Sequence, residues 1–243
     1  MKNHSLPKEV TTVLFDVGNT LQHLDHAFIA ARICERSHKV GVGDVMTAEL
    51  AAKRAIDALF HGNNGGNDTT RQRGYFETIM DTLSVPAEAA ARVVEDLHAE
   101  NAQRMLWRVM HPETPRVLSE LRDRGFKLGV VSNSDGRVAQ SLATSGIADS
   151  FAVIVDSHVV GVEKPKPRIF EIALAGCGSS PVESVYIGDI YEIDVRGARA
   201  AGLHPVLLDP LDHYTDADCL RLRSLVDLLA QLPSKAPIAR TND

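Results

Sequence analysis

TTVLFDVGNT, residues 11–20, runs a stretch of apolar and β-branched residues into Asp16 and then drops into glycine, asparagine and threonine. Continuous apolarity without alternation is the texture of a strand buried on both faces, as in a parallel sheet covered by helices. A polar residue at the carboxyl end of such a strand stands where open α/β sheets build their sites. The same texture recurs in FKLGVVS (126–132), FAVIVD (151–156), SVYIGD (184–189) and HPVLLD (204–209). Asp16, Ser132, Asp156 and Asp189 end four of these five runs. Their chemistry is therefore expected to gather on one edge of the sheet.

The connecting segments complete an α/β pattern. TPRVLSELRDRG (114–125) opens with Thr114 as an N-cap and Pro115 at the first helical position, and stops at Gly125. KPRIFEIALAGCG (166–178) and IDVRGARAAG (193–202) are likewise expected to be helices closed by glycine. Strand and helix alternate from about 112 to 232, the pattern of a doubly wound, Rossmann-like parallel sheet.

Residues 22–110 have a different texture, rich in Ala, Glu, Arg and Leu and poor in strand formers. They are expected to form four helices, at 24–39, 47–60, 69–83 and 86–109, with HGNNGGND (61–68) as a mobile loop. The division expected is a core of residues 1–21 and 111–232, an all-helical cap at 22–110 inserted after the first strand, and a flexible tail at 233–243.

Composition narrows the function classes. At 243 residues, 44% hydrophobic and 24% charged, the chain is a globular protein with a real core. Its net charge of -6 argues against a phosphate-backbone binder, so nucleic acid is not an expected partner. No run approaches a membrane span or a signal peptide, and Cys34, Cys177 and Cys219 show no metal-ligand spacing, so a cytoplasmic protein with free thiols is expected. Nothing matches G-x-S-x-G, a Walker loop or G-x-G-x-x-G.

Carboxylates brought together repel unless a cation sits among them. GDIYEID (188–194) supplies Asp189 and Asp194 in one loop, and GVEKPKP (161–167) supplies Lys164 as a fixed positive charge. A hard divalent cation on oxygen ligands would relieve the remainder.

FDVGNTL, VVSNSD, EKPKPRIF and YIGDIYEID, in this order and at strand ends, resemble the four motifs of the haloacid dehalogenase superfamily, whose members are mostly phosphatases. The resemblance spans Asp16 to about Pro210, and the helical segment sits where that family inserts its cap. It implies Asp16 as a nucleophile forming an aspartyl phosphate, with Ser132 and Lys164 on the phosphoryl oxygens of a small phosphorylated substrate. Asn133 would lend its amide to the same oxygens, and Thr20 would hydrogen-bond within the loop. The family's Mg²⁺ would be held by Asp16, the backbone carbonyl of Gly18 and Asp189, with Asp194 supporting the shell.

Gly18 departs from the phosphatase pattern, which carries a second aspartate there to protonate the leaving alkoxide and activate water. Its loss removes assistance worth about 10²- to 10⁴-fold and leaves the carbonyl ligand intact. Three functions stay open at this point. The chain could be a phosphatase that is slow, favours good leaving groups or borrows an acid from the cap. It could be a dehalogenase-like hydrolase, although that branch has no metal-binding aspartate at Asp189. It could also be a silent protein that binds a phosphorylated ligand or a protein partner. His23 and His26 are candidates for a borrowed acid, and Arg32, Arg71 and Arg73 for gripping a substrate anion. YFETIM (75–80) and MLWRVM (105–110) read as the packing seam of the cap, with a hydrophobic substrate wall as the alternative. Oligomeric state has no signal in the sequence.

Overall fold

In a computed structural model, residues 5–36, 39–61 and 68–232 are described. Six parallel strands form one sheet: β1 (Thr12–Phe15), β4 (Lys127–Ser132), β5 (Val153–Asp156), β6 (Ser184–Gly188), β7 (His204–Leu208) and β8 (Leu220–Leu222), in the order β5-β4-β1-β6-β7-β8. The order reverses around β1, which pairs with β4 on one side and β6 on the other. Asp16, Ser132 and Asp189 thus leave neighbouring strands on the same edge, at the topological switch point of the sheet.

Alternation along β1 explains why its sequence is apolar throughout. Val13 and Phe15 join a core with Val117, Leu121 and Leu142, while Leu14 faces Ile169, Phe170 and Leu174 on the other side. The first layer draws on α5 (Thr114–Asp123) and α6 (Val138–Thr144), the second on α8 (Pro167–Cys177). Helix α5 begins at Thr114 itself, with Glu113 in the cap position.

Between β1 and β4 lie α1 (His26–Cys34), α2 (Val42–His61), α3 (Asp68–Thr82) and α4 (Ala87–Gln103), around a second core of Ile29, Val45, Phe76, Ile79 and Leu97. Ile193, from the far side of the sheet edge, joins this second core.

Three short strands differ from the sequence expectation. The helix expected over 86–109 stops at Gln103, and β3 (Trp107–Val109) pairs antiparallel with β2 (His23–Leu24), zipping together the two connections that enter and leave the helices. The helix end is held by the Arg137 guanidinium, which donates to the carbonyls of Asn101 and Ala102, while Asn101 Oδ1 accepts from Leu106 N. Strand β8 lacks the continuous apolar texture of the other strands: CLRLRS (219–224) alternates charge with leucine, as a short edge strand does. The helix expected over 193–202 is entered through a π turn at Tyr191–Val195 before α9 (Arg196–Ala200). Most of the loop at 61–68 and all of the tail at 233–243 lie outside the described residues.

Candidate active site

Asp16, Lys164 and Asp194 meet although 148 and 30 residues of chain separate the lysine from the two acids. Lys164 Nζ donates to Asp16 Oδ1 at 2.6 Å, to Asp194 Oδ1 at 2.8 Å and to the Tyr186 hydroxyl at 2.8 Å, so its three protons are matched by three acceptors. Tyr186, to which the motif resemblance gives no role, projects from the middle of β6, and its hydroxyl donates to Val131 O or Asp194 Oδ1, each at 3.1 Å. Burial alone would lower the Lys164 pKa, but Asp16 and Asp194 hold it above the ordinary value. The lysine is a fixed charge.

Asp194 is placed by its backbone surroundings. Its Oδ2 accepts from the amides of Asp189 and Ile190 at 3.1 and 3.0 Å. Gly188 makes this approach possible: a Cβ there would lie 2.3 Å from Asp194 Cγ.

Asp189 receives a cation that belongs to none of the four motifs. Lys53 Nζ, from α2, lies 2.7 Å from Asp189 Oδ2, with both side chains buried. One turn earlier on α2, Glu49 accepts from Asn19 Nδ2 at 2.8 Å and the Tyr75 hydroxyl at 2.7 Å, and pairs with His26 at 2.7 Å. Asn19 itself stands at a φ of 54°, which asparagine tolerates better than most residues. The signal existed in the sequence: Glu49 and Lys53 sit at i, i+4 within the buried stripe Val45, Ala48, Ala52, Ile56, where a solvated pair would not be.

Asp16, Asp189 and Asp194 each offer an oxygen, and these atoms lie within 4.8 Å of one another, all in buried residues. Burial first, and the neighbouring carboxylates after it, raise Asp16 to about 7 and Asp189 to about 6 against the opposing pull of Lys164 and Lys53. Three acids face two lysines, which leaves one negative charge and a cluster of hard oxygen donors suited to a divalent cation.

The remaining expected site residues divide. Ser132 is buried at the end of β4 and lines the cavity beside Asp16. Asn133 lines it too, but its amide clamps Lys164: Nδ2 donates to Lys164 O at 3.0 Å and Oδ1 accepts from Lys164 N at 2.8 Å. Thr20 is fully buried, and the expected hydrogen bond is not made; among the described residues its hydroxyl has no partner. Asp156 accepts from the amides of Gly136, Val138 and His158, so it organises the loops after β4 and β5. His26 is engaged by Glu49, and neither it nor His23 lines the cavity. Arg71 reaches the cavity wall and pairs with Glu163, whereas Arg32 pairs with Glu35 on the surface and Arg73 is exposed.

A cavity of about 350 Å³ opens over this cluster, floored by Asp16, Gly18, Ser132, Lys164 and Asp189. Its opposite wall comes from the helices and β3: Ile56, Tyr75, His98, Met105 and Trp107. Phe76, Ile79 and Met80 of YFETIM are core, as expected of a packing seam, while Tyr75, Met105 and Trp107 face the cavity. No described helix is long and apolar enough to cross a membrane.

Comparison with known proteins gives the same picture. Residues 10–202 match the haloacid dehalogenase-like hydrolase family. The human haloacid dehalogenase-like hydrolase domain-containing protein 3 is 30% identical over 217 residues, 84% of this chain and 86% of its own. A glyceraldehyde 3-phosphate phosphatase of Methanopyrus kandleri is 28% identical over 92% of this chain and 98% of its own. Among solved structures, the HAD-hydrolase YfnB of Bacillus subtilis, determined bound to magnesium, superposes with a TM-score of 0.65 at 20% identity, over 92% of this chain and 98% of that one. With the sheet order, the strand-end cluster and a match across most of its length in agreement, this chain belongs to the haloacid dehalogenase-like hydrolases.

Proposed function

We propose that this chain is a magnesium-dependent phosphohydrolase of small phosphorylated metabolites, working in the cytoplasm through an aspartyl phosphate on Asp16 and without the second aspartate usual at position 18. The observation that carries it is the junction of Asp16 with Lys164 and two further buried carboxylates at the floor of the cavity. Relatives named as phosphatases, including a phosphoserine phosphatase of Thermus thermophilus that is 34% identical over 140 residues, support the same class.

Asp16, Asp189 and the backbone carbonyl of Gly18 would hold the metal, with Asp194 behind them; the cation would neutralise the phosphoryl oxygens and balance the cluster. Asp16 attacks phosphorus as the bond to the leaving oxygen breaks, and that oxygen departs with the electron pair. Water then cleaves the acyl phosphate, returning the Asp16 carboxylate. Lys164, held by Asp194, Tyr186 and the Asn133 clamp, keeps one positive charge beside the oxygens that gain charge in each displacement. The Ser132 hydroxyl supplies a neutral donor to the same group. Residues 22–110 act as a cap, excluding water while Lys53 and Glu49 fix its floor over the two strand-end loops.

Release of inorganic phosphate from monoesters, with and without Mg²⁺, tests the proposal. Turnover that needs Mg²⁺ and vanishes in a folded Asp16→Asn variant is expected. Halide release from a 2-haloacid without phosphate release from any ester would replace it with the dehalogenase reading.

A further inference from the structure

Gly18 is not demanded by the backbone, since its φ is not positive, and the indole of Trp107 lies in contact range beside it. A Cβ built there would meet Trp107 Cδ1 at 3.4 Å and Nε1 at 3.6 Å. The indole of β3 therefore borders the position from which an acidic side chain at 18 would extend, and it brings an N–H that can donate but holds no proton it can give up at neutral pH. An oxygen leaving beside Trp107 leaves as an anion. Such a site serves a leaving group that is stable without a proton.

The wall behind it matches that demand. Trp107 stands 5.8 Å from Tyr75 and 5.9 Å from Phe76, ring centre to ring centre, and with Tyr75 and Met105 it lines the cavity. Flat aromatic surface of this kind receives a ring better than a flexible polyol. Beyond Phe76, His98 reaches the same cavity, its ring 5.6 Å from that of Phe76. Its Nε2 is buried and has no partner among the described residues. Burial, with Arg73 beside it, lowers the pKa of the imidazole, which is therefore neutral at pH 7 and can donate or accept one hydrogen bond. A buried polar atom left without a partner is costly, and a ligand atom removes that cost.

We propose that the cavity takes phosphate monoesters of aromatic hydroxyls, with the ring along Trp107 and Tyr75 and a polar substituent on its far side meeting His98 Nε2. The proposal rests on the phosphatase reading and narrows its substrate. In the first displacement Asp16 Oδ bonds to phosphorus, the P–O(aryl) bond breaks, and its electron pair leaves on the aryl oxygen. The ring delocalises that charge while the Trp107 N–H stabilises it, and the phenoxide takes its proton from water after release.

Recognition and leaving-group reactivity are separated by phosphonates, which bind without being cleaved. Calorimetric titration of the whole protein in Mg²⁺ with butylphosphonate, benzylphosphonate and 4-hydroxybenzylphosphonate is the experiment, with 4-nitrophenyl phosphate turnover measured beside it. Benzylphosphonate should bind at least tenfold tighter than butylphosphonate, an advantage lost in Trp107→Leu. The 4-hydroxyl should add a further several-fold, lost in His98→Phe. Equal affinities for the alkyl and benzyl compounds in the wild-type protein, with 4-nitrophenyl phosphate still hydrolysed through Asp16, would overturn the aromatic assignment and leave the phosphatase. Absence of turnover on 4-nitrophenyl phosphate would remove the phosphatase reading itself, whatever the phosphonates do.

Discussion

Lys53 Nζ and Asp189 Oδ2 lie 2.7 Å apart, so a helix inserted after the first strand supplies a cation to the carboxylate cluster of the sheet. Burial opposes the charge on this lysine, yet Asp189 and Glu49 raise its pKa above the ordinary value. Breaking a buried pair by removing one partner costs about 3–5 kcal/mol, because the other charge is left behind. Lys53→Met should therefore lower stability by that order in chelator. Mg²⁺ should then raise the melting temperature of Lys53→Met more than that of the wild-type protein, since the cation replaces a charge that the variant lacks. Thermal unfolding with and without Mg²⁺ reads this directly, and equal metal-induced shifts in the two proteins would show that Lys53 does not share the metal's electrostatic task.

Gly188 and Asp194 form the tightest approach at the site. An alanine Cβ at 188 would sit 2.3–2.5 Å from three atoms of the Asp194 side chain, which is itself fixed by Lys164, Tyr186 and two backbone amides. Gly188→Ala should lose about 1–3 kcal/mol of stability from overpacking and, by displacing Asp194, at least about a hundredfold in kcat/KM. Urea unfolding and steady-state kinetics would check both, and full activity in a folded variant would mean that Asp194 can move without consequence.

Much of this arrangement is legible in the sequence, for a physical reason. Strands buried on both faces must be apolar throughout, and polar residues at their ends stand out against that background, as Asp16, Ser132 and Asp189 do. Tyr186 and Lys53 carry no such contrast. The first is an aromatic within a strand that tolerates aromatics, and the second is a lysine on a helix, where lysines are ordinarily solvated. Their roles depend on which neighbour lies across the sheet or across the cavity, information that is tertiary. Asp156 shows the converse, a strand-end aspartate spent on three backbone amides. Trp107 lay within an expected helix because MLWRVM has no breaker; Asn101 and Arg137 end that helix through contacts remote in sequence.

His23 gives the fold a pH dependence of defined sign. Burial, with Lys53 after it, lowers its pKa to about 4, against the raising effect of Glu49 and with His111 and His26 also nearby. Between about 6.5, the ordinary value, and about 4 the unfolded chain binds a proton that the folded chain refuses. The stability contributed by keeping His23 neutral is thus complete above the upper limit and is lost as pH falls to the lower one, a change of about 3 kcal/mol. Glu49, held near 2 by His26 and Lys53 despite its burial, titrates below this window. His23→Gln should flatten the dependence of unfolding free energy on pH between 7 and 5 relative to wild type. Parallel curves would assign the acid sensitivity elsewhere.

Gly18 and Trp107 bear on the chemistry most directly. Because the backbone at 18 has no positive φ and a Cβ would meet Trp107 at ordinary contact distance, Gly18→Asp should fold with only a small shift of the indole. The new carboxyl would supply the proton that the leaving oxygen otherwise lacks. General acid assistance matters in proportion to the basicity of the leaving group, so alkyl phosphates should gain up to about 10²-fold in kcat/KM and 4-nitrophenyl phosphate little. The slope of log kcat/KM against leaving-group pKa, steep in the wild-type protein, should become shallow in the variant. A parallel gain on all esters would mean that the carboxyl acts on the metal site or the loop, and a shallow slope already present in the wild-type protein would mean that another group delivers the proton. Removing Trp107 as well, in Gly18→Asp/Trp107→Leu, should leave the shallow slope and abolish the preference for aromatic phosphonates, because the proton and the ring surface come from different side chains.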